Sequence, residues 1–537
     1  MKVLALQQAI VETKFRFSLL VLVLAAVIAI GSFYLVGYLR FSIERQSLFL
    51  SSLRYRAEYI SEQQGVDILA AAGSAFTPLS SLYAAGGTAE GVPVLTYHSI
   101  LATKDATATA ATSSFEGANV SLENFKDQMF ALKAAGWQTV SYAEFEAYIR
   151  GQRTLPEKSF LITFDDGAKN SFYPAEPILE AMGFGAVAFI LPSHSLGDRS
   201  SYYLNRNEVE FMKSTGHWDI ESHGQNIHVS LPSNASGTVK NNALSNRAWL
   251  TGENRLETHE EYVERIGRDL IDAKRNLENA FGGKVSAFAF PFGDFGQNGS
   301  NDPDAEDTVL ALAKQHYSLA FYQNWNRGDF TFNYPSPDAF LIKRIPVGPE
   351  WDGEKLLSIL ESSEPKALPY STASSSVVSW RSNWGEMDTA GGALRLFAAP
   401  DTTGALAVLD GSLSWKDYQV DADVEWDHGY VMVLFDMQNP NEGRACVFSS
   451  TGNVQLQERT KDDIFILREV KLKKFSAGAH TLGAVSSGTT AACVLDGTYV
   501  IDATLEQGSG GVGLEAWNEE QGTAEAFIKG VSARKKK

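Results

Sequence analysis

The stretch SFLITFDDG, Ser159 to Gly167, is an apolar run that ends on two adjacent carboxylates and a glycine. A short apolar run bounded by turn residues has the length of a buried strand. Successive strand side chains point to opposite faces, so Asp165 and Asp166 address one site only if the strand stops there and the chain turns. Gly167 permits that turn. Two bare neighbouring carboxylates repel, and one tends to keep its proton; a bound cation removes the conflict by holding one and leaving the other ionised. Alone, Asp-Asp-Gly reads equally as a solvated turn, because Asp and Gly favour turns.

Outward from this run, strands and helices alternate. Upstream, Ser121 caps an amphipathic helix that ends near Gly136. Downstream, AEPILEAMGFG (175–185) reads as a helix stopped by glycine, and AVAFIL (186–191) as a second strand. Tyr262, Ile266, Leu270, Leu277 and Phe281 keep helical spacing over 260–281, and SAFAF (286–290) is strand-like again. The alternation predicts an α/β fold with parallel strands over 91–362. Residues 363–376 have the composition of a linker. Beyond them the period becomes two: Tyr418, Val420, Ala422, Val424 and Trp426 share one face of a strand. Asp496-Gly497 between two such runs signals a hairpin. Residues 377–537 are therefore expected to form an all-β sandwich.

The 537 residues exceed one ordinary domain, and 44% hydrophobic with 20% charged residues excludes a mainly disordered chain. A net charge of −18 argues against nucleic acid as a partner and suits a neutral or amine-bearing ligand. Two cysteines, Cys446 and Cys493, cannot supply an all-thiolate metal site; one disulfide and two buried thiols both fit them. After a short tail (1–16), Phe17 to Leu39 is a run of 23 uncharged residues, long enough to cross a lipid bilayer as a transmembrane helix. The other reading, a cleaved signal peptide, lacks a nearby small-x-small cleavage site. Residues 40–90 follow as a juxtamembrane helix and a stalk rich in Ala, Gly and Ser. Basic residues flank the run on both sides, so its orientation stays open.

A second chemical element is HWDIESHGQNIH, 217–228. His223 and His228 would stand about 140° apart on a helix, which excludes a helical ligand pair. WDI reads as a strand, so both histidines fall on the loop after it. They are either surface histidines or, with Asp166, ligands to one divalent metal. Two imidazoles and a carboxylate leave positions open, as in a catalytic site. Zinc fits; cobalt, nickel or iron would also serve. Asp165 is then the free base. A third element, Phe290-Pro291-Phe292-Gly293, is either an apolar wall for substrate or a strand terminator packing its own aromatics.

VLTYHSI (94–100), TFDDG (163–167), SHGQNIH (222–228) and FAFPFGDFG (288–296) together resemble, in this order, the polysaccharide deacetylases with a NodB-homology domain, carbohydrate esterase family 4. The resemblance covers about half the chain. It implies a distorted (β/α) barrel with the site at the C-terminal strand ends, Asp165 as catalytic base, and Asp166, His223 and His228 as metal ligands. The His223–His228 spacing is similar to that of the poly-N-acetylglucosamine deacetylases. Two departures stand out. FAFPFG lacks the arginine that steadies the base in the family, and 340–347 carries Lys343 and Arg344 where a histidine acid is usual. Arg344 is the candidate replacement for the arginine. His98 is expected to line the site, or to make a structural hydrogen bond. The C-terminal region resembles a concanavalin-like jelly roll, whose Trp380, Trp384, Trp415, Trp426 and Trp517 are either sugar platforms or core. The expectation is a single-pass cell-membrane enzyme, catalytic part outside the cytoplasm, releasing acetate from an N-acetylglucosamine-containing polysaccharide. An inactive glycan-binding relative and an O-deacetylase are the alternatives.

Overall fold

The computed structural model describes residues 40, 42–72, 87–102, 119–197, 200–297, 299–325, 329–373 and 379–536. The expected tail (1–16) and transmembrane helix (17–39) lie outside the described residues, as does part of the stalk. Among the described residues no helix is long and apolar enough to cross a membrane. The chain divides into two compact units, residues 1–79 with 176–181, and 80–175 with 182–537. In the first, 42–64 is helical and a short helix follows at Ile68–Ala72.

The second unit contains a barrel. Its strands are β1 (Val94–Tyr97), β2 (Ser159–Phe164), β3 (Ala186–Ile190), β4 (Trp218–Ser222), β5 (Ala287–Ala289), β6 (Leu319–Gln323) and β7 (Leu341–Pro346). Each runs parallel to the next, and β1 pairs with both β7 and β2, which closes a ring of seven. Alternation decides what lies inside. Leu161, Val187, Phe189, Ala287, Ala289, Leu319, Phe321 and Ile342 fill the interior. The Tyr142–Ile149 helix adds Phe145 and Tyr148 to that core. Its Tyr142 N–H donates to Asp219 near the start of β4 at 2.8 Å, so this helix closes the N-terminal mouth. The opposite mouth, where strands end, is open to the site.

One seam is weak. β4 and β5 share a single registered pair, Phe288 with Ser222. Side chains stitch what backbone does not: Glu221 Oε2 accepts from the Ser286 and Ala287 N–H groups at 2.8 and 2.6 Å.

Residues 370–536 form two antiparallel sheets, of eight and seven strands, over a shared core. Tyr418, Val420, Ala422, Val424 and Trp426 face that core, as period two predicts. Asp496 and Gly497 both take positive φ, 50° and 76°, and turn the hairpin. A disulfide joins Cys446 of the seven-stranded sheet to Cys493 of the other. The stretch expected as a linker contains a strand, Tyr370–Ala373, paired with Gly530–Ala533 of the sandwich; a composition rich in Ser and Pro hid a short edge strand. Trp380, Trp415 and Trp426 are core, and Trp384 and Trp517 pack against a second apolar cluster.

Candidate metal centre and active site

Leu161 and Thr163 of β2 point inward, so Asp165 does too, at the top layer of the barrel. Ile342 and Arg344 of β7 obey the same alternation. Their meeting follows: Arg344 Nη1 and Nη2 donate to Asp165 Oδ1 and Oδ2 at 2.6 and 2.8 Å. Both side chains are fully buried, and the guanidinium lies 5.4 Å from the Phe189 ring centre. Burial alone pushes the Asp165 carboxyl up; Arg344, then His223 and His98, override it and hold it well below the usual carboxylate range.

The chain then turns. Asp166 and Gly167 both adopt left-handed φ, 73° and 69°. That conformation is unusual for aspartate and marks local strain. It aims Asp166 away from Asp165, toward the loop after β4. His223 Nδ1 donates to the Ala289 carbonyl at 2.8 Å, which leaves Nε2 as the lone-pair nitrogen. His223 Nε2 and His228 Nε2 each lie 3.6 Å from Asp166 Oδ1. Potential ligand atoms of all three residues fall within 4.8 Å of one another. Burial lowers His223 to about 3 and His228 to about 4, so both imidazoles are neutral. Burial raises Asp166 to about 6, opposed by His98 and reinforced by Asp165. Asp166 Oδ1 is buried without a hydrogen-bond partner. Two neutral lone pairs around an orphaned carboxylate oxygen make a donor set that suits a divalent cation.

The other expected residues divide. His98 Nε2 lies 3.8 Å from Asp165 Oδ2, and its side chain is 13% exposed while Asp165 is 0% exposed, so His98 borders both base and solvent. Phe292, with φ 63°, stacks on His228 at 4.5 Å between ring centres. Gly293 packs against Gln323. Phe290 is a correction: it is fully buried, against Phe288 and Phe295, and cannot meet substrate. Pro291 is buried as well. Lys343 points away from the site to Asp329, at 3.6 Å.

Asp269 belongs to the site without any sequence signal. It stands in the His259–Phe281 helix beside Leu270, and its two oxygens accept from the Gln225 and Asn226 N–H groups at 2.7 Å each. These bonds hold the loop between the two histidines. A second cluster of His259, Asp302 and Asp304 also meets the ligand-distance criterion, but Asp302 is taken up by Arg247 and His259 at 3.3 and 3.2 Å, an ion-pair network.

Residues 152–310 match the family model of the polysaccharide deacetylases. The chain is 30% identical over 182 residues to the poly-beta-1,6-N-acetyl-D-glucosamine N-deacetylase of Escherichia coli strain K12, covering 32% of this chain and 27% of that relative. It is 26% identical over 243 residues to the protein of the same name from Staphylococcus aureus strain MSSA476, covering 44% and 72%. The chain thus spans about a quarter of the length of its E. coli relative. Among solved structures, it is similar to a de-N-acetylase from Aggregatibacter actinomycetemcomitans, at 22% identity and TM-score 0.42, over 50% of this chain and 100% of that one.

Proposed function

We propose that this chain is a metal-dependent hydrolase of carbon–nitrogen bonds that removes N-acetyl groups from an N-acetylglucosamine-containing polysaccharide and releases acetate. The observation that carries the reading is the contrast between adjacent aspartates: Asp165 clamped and ionised by Arg344, Asp166 orphaned between two neutral imidazoles. The deacetylase family match and the activity in the relatives' names support it.

A divalent ion held by Asp166, His223 and His228, with zinc the expected metal, would polarise the acetyl carbonyl and acidify an adjacent water. Asp165 takes the proton from the attacking water. Arg344 keeps that carboxylate ionised and fixes its plane through two parallel bonds, filling the place of the arginine absent from FAFPFG. His98, the imidazole on the far side of Asp165, delivers a proton to the departing nitrogen. The C–N bond breaks, leaving acetate and a free amine. Phe292, flat on His228, shields that ring from water.

We place the enzyme at the cell membrane, with residues 17–39 spanning the bilayer and the catalytic barrel outside the cytoplasm. The uncharged run and a disulfide, which persists in oxidising compartments, support this arrangement.

The test measures acetate from N-acetylglucosamine oligomers and from acetylated xylan, with the full chain, after chelation and after metal is returned. Activity on the former, lost on chelation and restored by metal, is expected. Asp165→Asn should keep metal and lose turnover, and His228→Ala should lose metal. Acetate from xylan alone would make it an O-deacetylase. Metal binding without acetate from either would leave a glycan-binding protein.

A further inference from the structure

Among the described barrel residues, the large aromatic side chains left exposed are Tyr202 and Trp325, at 43% and 45%. Every other large aromatic of the barrel is at least partly covered. Both exposed rings stand on the rim where the strands end.

Tyr202 is tied to the catalytic turn. Lys169 N–H donates to the Tyr202 carbonyl at 2.8 Å, and Leu204 N–H to the Gly167 carbonyl at 2.9 Å. The segment therefore runs beside the residues that follow Asp166. Its side chain hydrogen-bonds Ser99, the neighbour of His98. With the hydroxyl held and the ring exposed, its orientation is set before any ligand arrives.

Trp325 lies two residues beyond Gln323, the last residue of β6. Gln323 is in register with Arg344 and packs over Gly293. Asn324 N–H donates to the Arg344 carbonyl at 2.9 Å. In the closed ring β6 stands across from β2 and β3. Tyr202 and Trp325 thus occupy opposite walls, with Asp166 and His98 on the Tyr202 side and Arg344 on the Trp325 side.

A pyranose ring carries hydroxyls at its edge and C–H groups on its faces. An exposed aromatic ring meets such a face without needing charge, which suits a neutral acetylated sugar. We infer that Tyr202 and Trp325 are glycan platforms on either side of the reaction centre. The chain therefore binds a neutral pyranose polymer across the barrel mouth and reacts at internal units, not only at an end. This rests on the deacetylase reading above.

The experiment uses N-acetylglucosamine oligomers from dimer to hexamer and the metal-loaded full chain. Wild-type kcat/KM for acetate release should climb with length. Tyr202→Ala and Trp325→Ala should each lose about tenfold on the hexamer, a typical cost for one aromatic contact, and far less on the dimer. Tyr202→Phe should keep most of the climb. In an Asp165→Asn background, which blocks turnover, calorimetry should show the hexamer bound and either alanine variant weakening it by a similar factor. An equal loss at every length, or no loss, overturns the platforms. If the wild type releases no acetate from any oligomer, the deacetylase reading falls, and the Asp165→Asn titration decides the platforms by itself: no hexamer bound, or no weakening, overturns them.

Discussion

Asp166 combines two costs: a left-handed backbone, about 1–3 kcal/mol, and a buried carboxylate oxygen without a partner, about 1–3 kcal/mol. Both serve the site and not the fold. Asn tolerates left-handed φ and carries no charge, so metal-free Asp166→Asn should melt higher than metal-free wild type. It should also lose the rise in melting temperature that zinc gives the wild type, and thermal scans with and without zinc check both. The base depends on shape as well as charge. Arg344→Lys keeps a cation but loses the planar pair of bonds; acetate release should fall by about a hundredfold, of the order seen when a positioned charge is lost, with metal content unchanged. The Asp-Asp-Gly turn and the paired histidines were legible because strand ends and loop spacing are local. The Arg344–Asp165 bond was visible only as a candidate, since it needs β7 and β2 to share one interior. Phe290 misled because it lies one residue past a strand whose alternation sends it into the core.

At the scale of elements, the His259–Phe281 helix does more than pack. Thr258 and Glu261 cap it reciprocally, and Tyr262, Ile266 and Leu270 bury one face. Asp269 adjoins that face and carries the loop between the histidines. Asp269→Ala should weaken metal affinity by about 10–100-fold, as loss of a ligand-orienting partner does, while Asp165 chemistry in metal-saturated protein changes little; competition with a metal-binding dye measures the first. Burial raises the Asp269 carboxyl to about 6, against the pull of the two backbone donors and Arg265. Its folded pKa thus exceeds the unfolded value of 3.8. The native state holds the proton more tightly, so this group subtracts stability as pH climbs from about 4 to about 6 and nothing further above. Urea unfolding of wild type and Asp269→Asn across that window should show the difference sloping there and flat at pH 7. The helix was plain from its apolar spacing, but the same spacing marks Asp269 merely as a polar residue near the core. Its partners are backbone atoms, which carry no residue-type signal.

Across the whole molecule, barrel and sandwich are more firmly joined than a Ser- and Pro-rich connection implied. Phe330, from the segment after β6, is fully buried among Leu406, Val408, Met432 and Leu434 of the sandwich. Asp410 receives Thr331 N–H at 3.0 Å and pairs with Arg381, which also reaches Ser363. Lys461 at a sandwich hairpin meets Glu306 of the barrel at 2.8 Å. Phe330→Ala should cost about 3–5 kcal/mol, read as a lowered urea midpoint. Gly511→Ala should cost stability too, because a Cβ there would lie 2.1 Å from the Phe330 ring. None of this junction was legible in advance: Phe330 finds its socket about eighty residues on, through a tertiary contact that no local pattern encodes.

The Phe330 plug has a consequence for modularity. The segment it anchors begins just after Trp325, so the foreign-looking second half of the chain holds one end of the catalytic rim in place. Exchanging sandwiches between such enzymes by cutting at the connection would swap a socket without its key. A working chimera has to inherit the 324–333 segment and the 404–447 surface from the same parent.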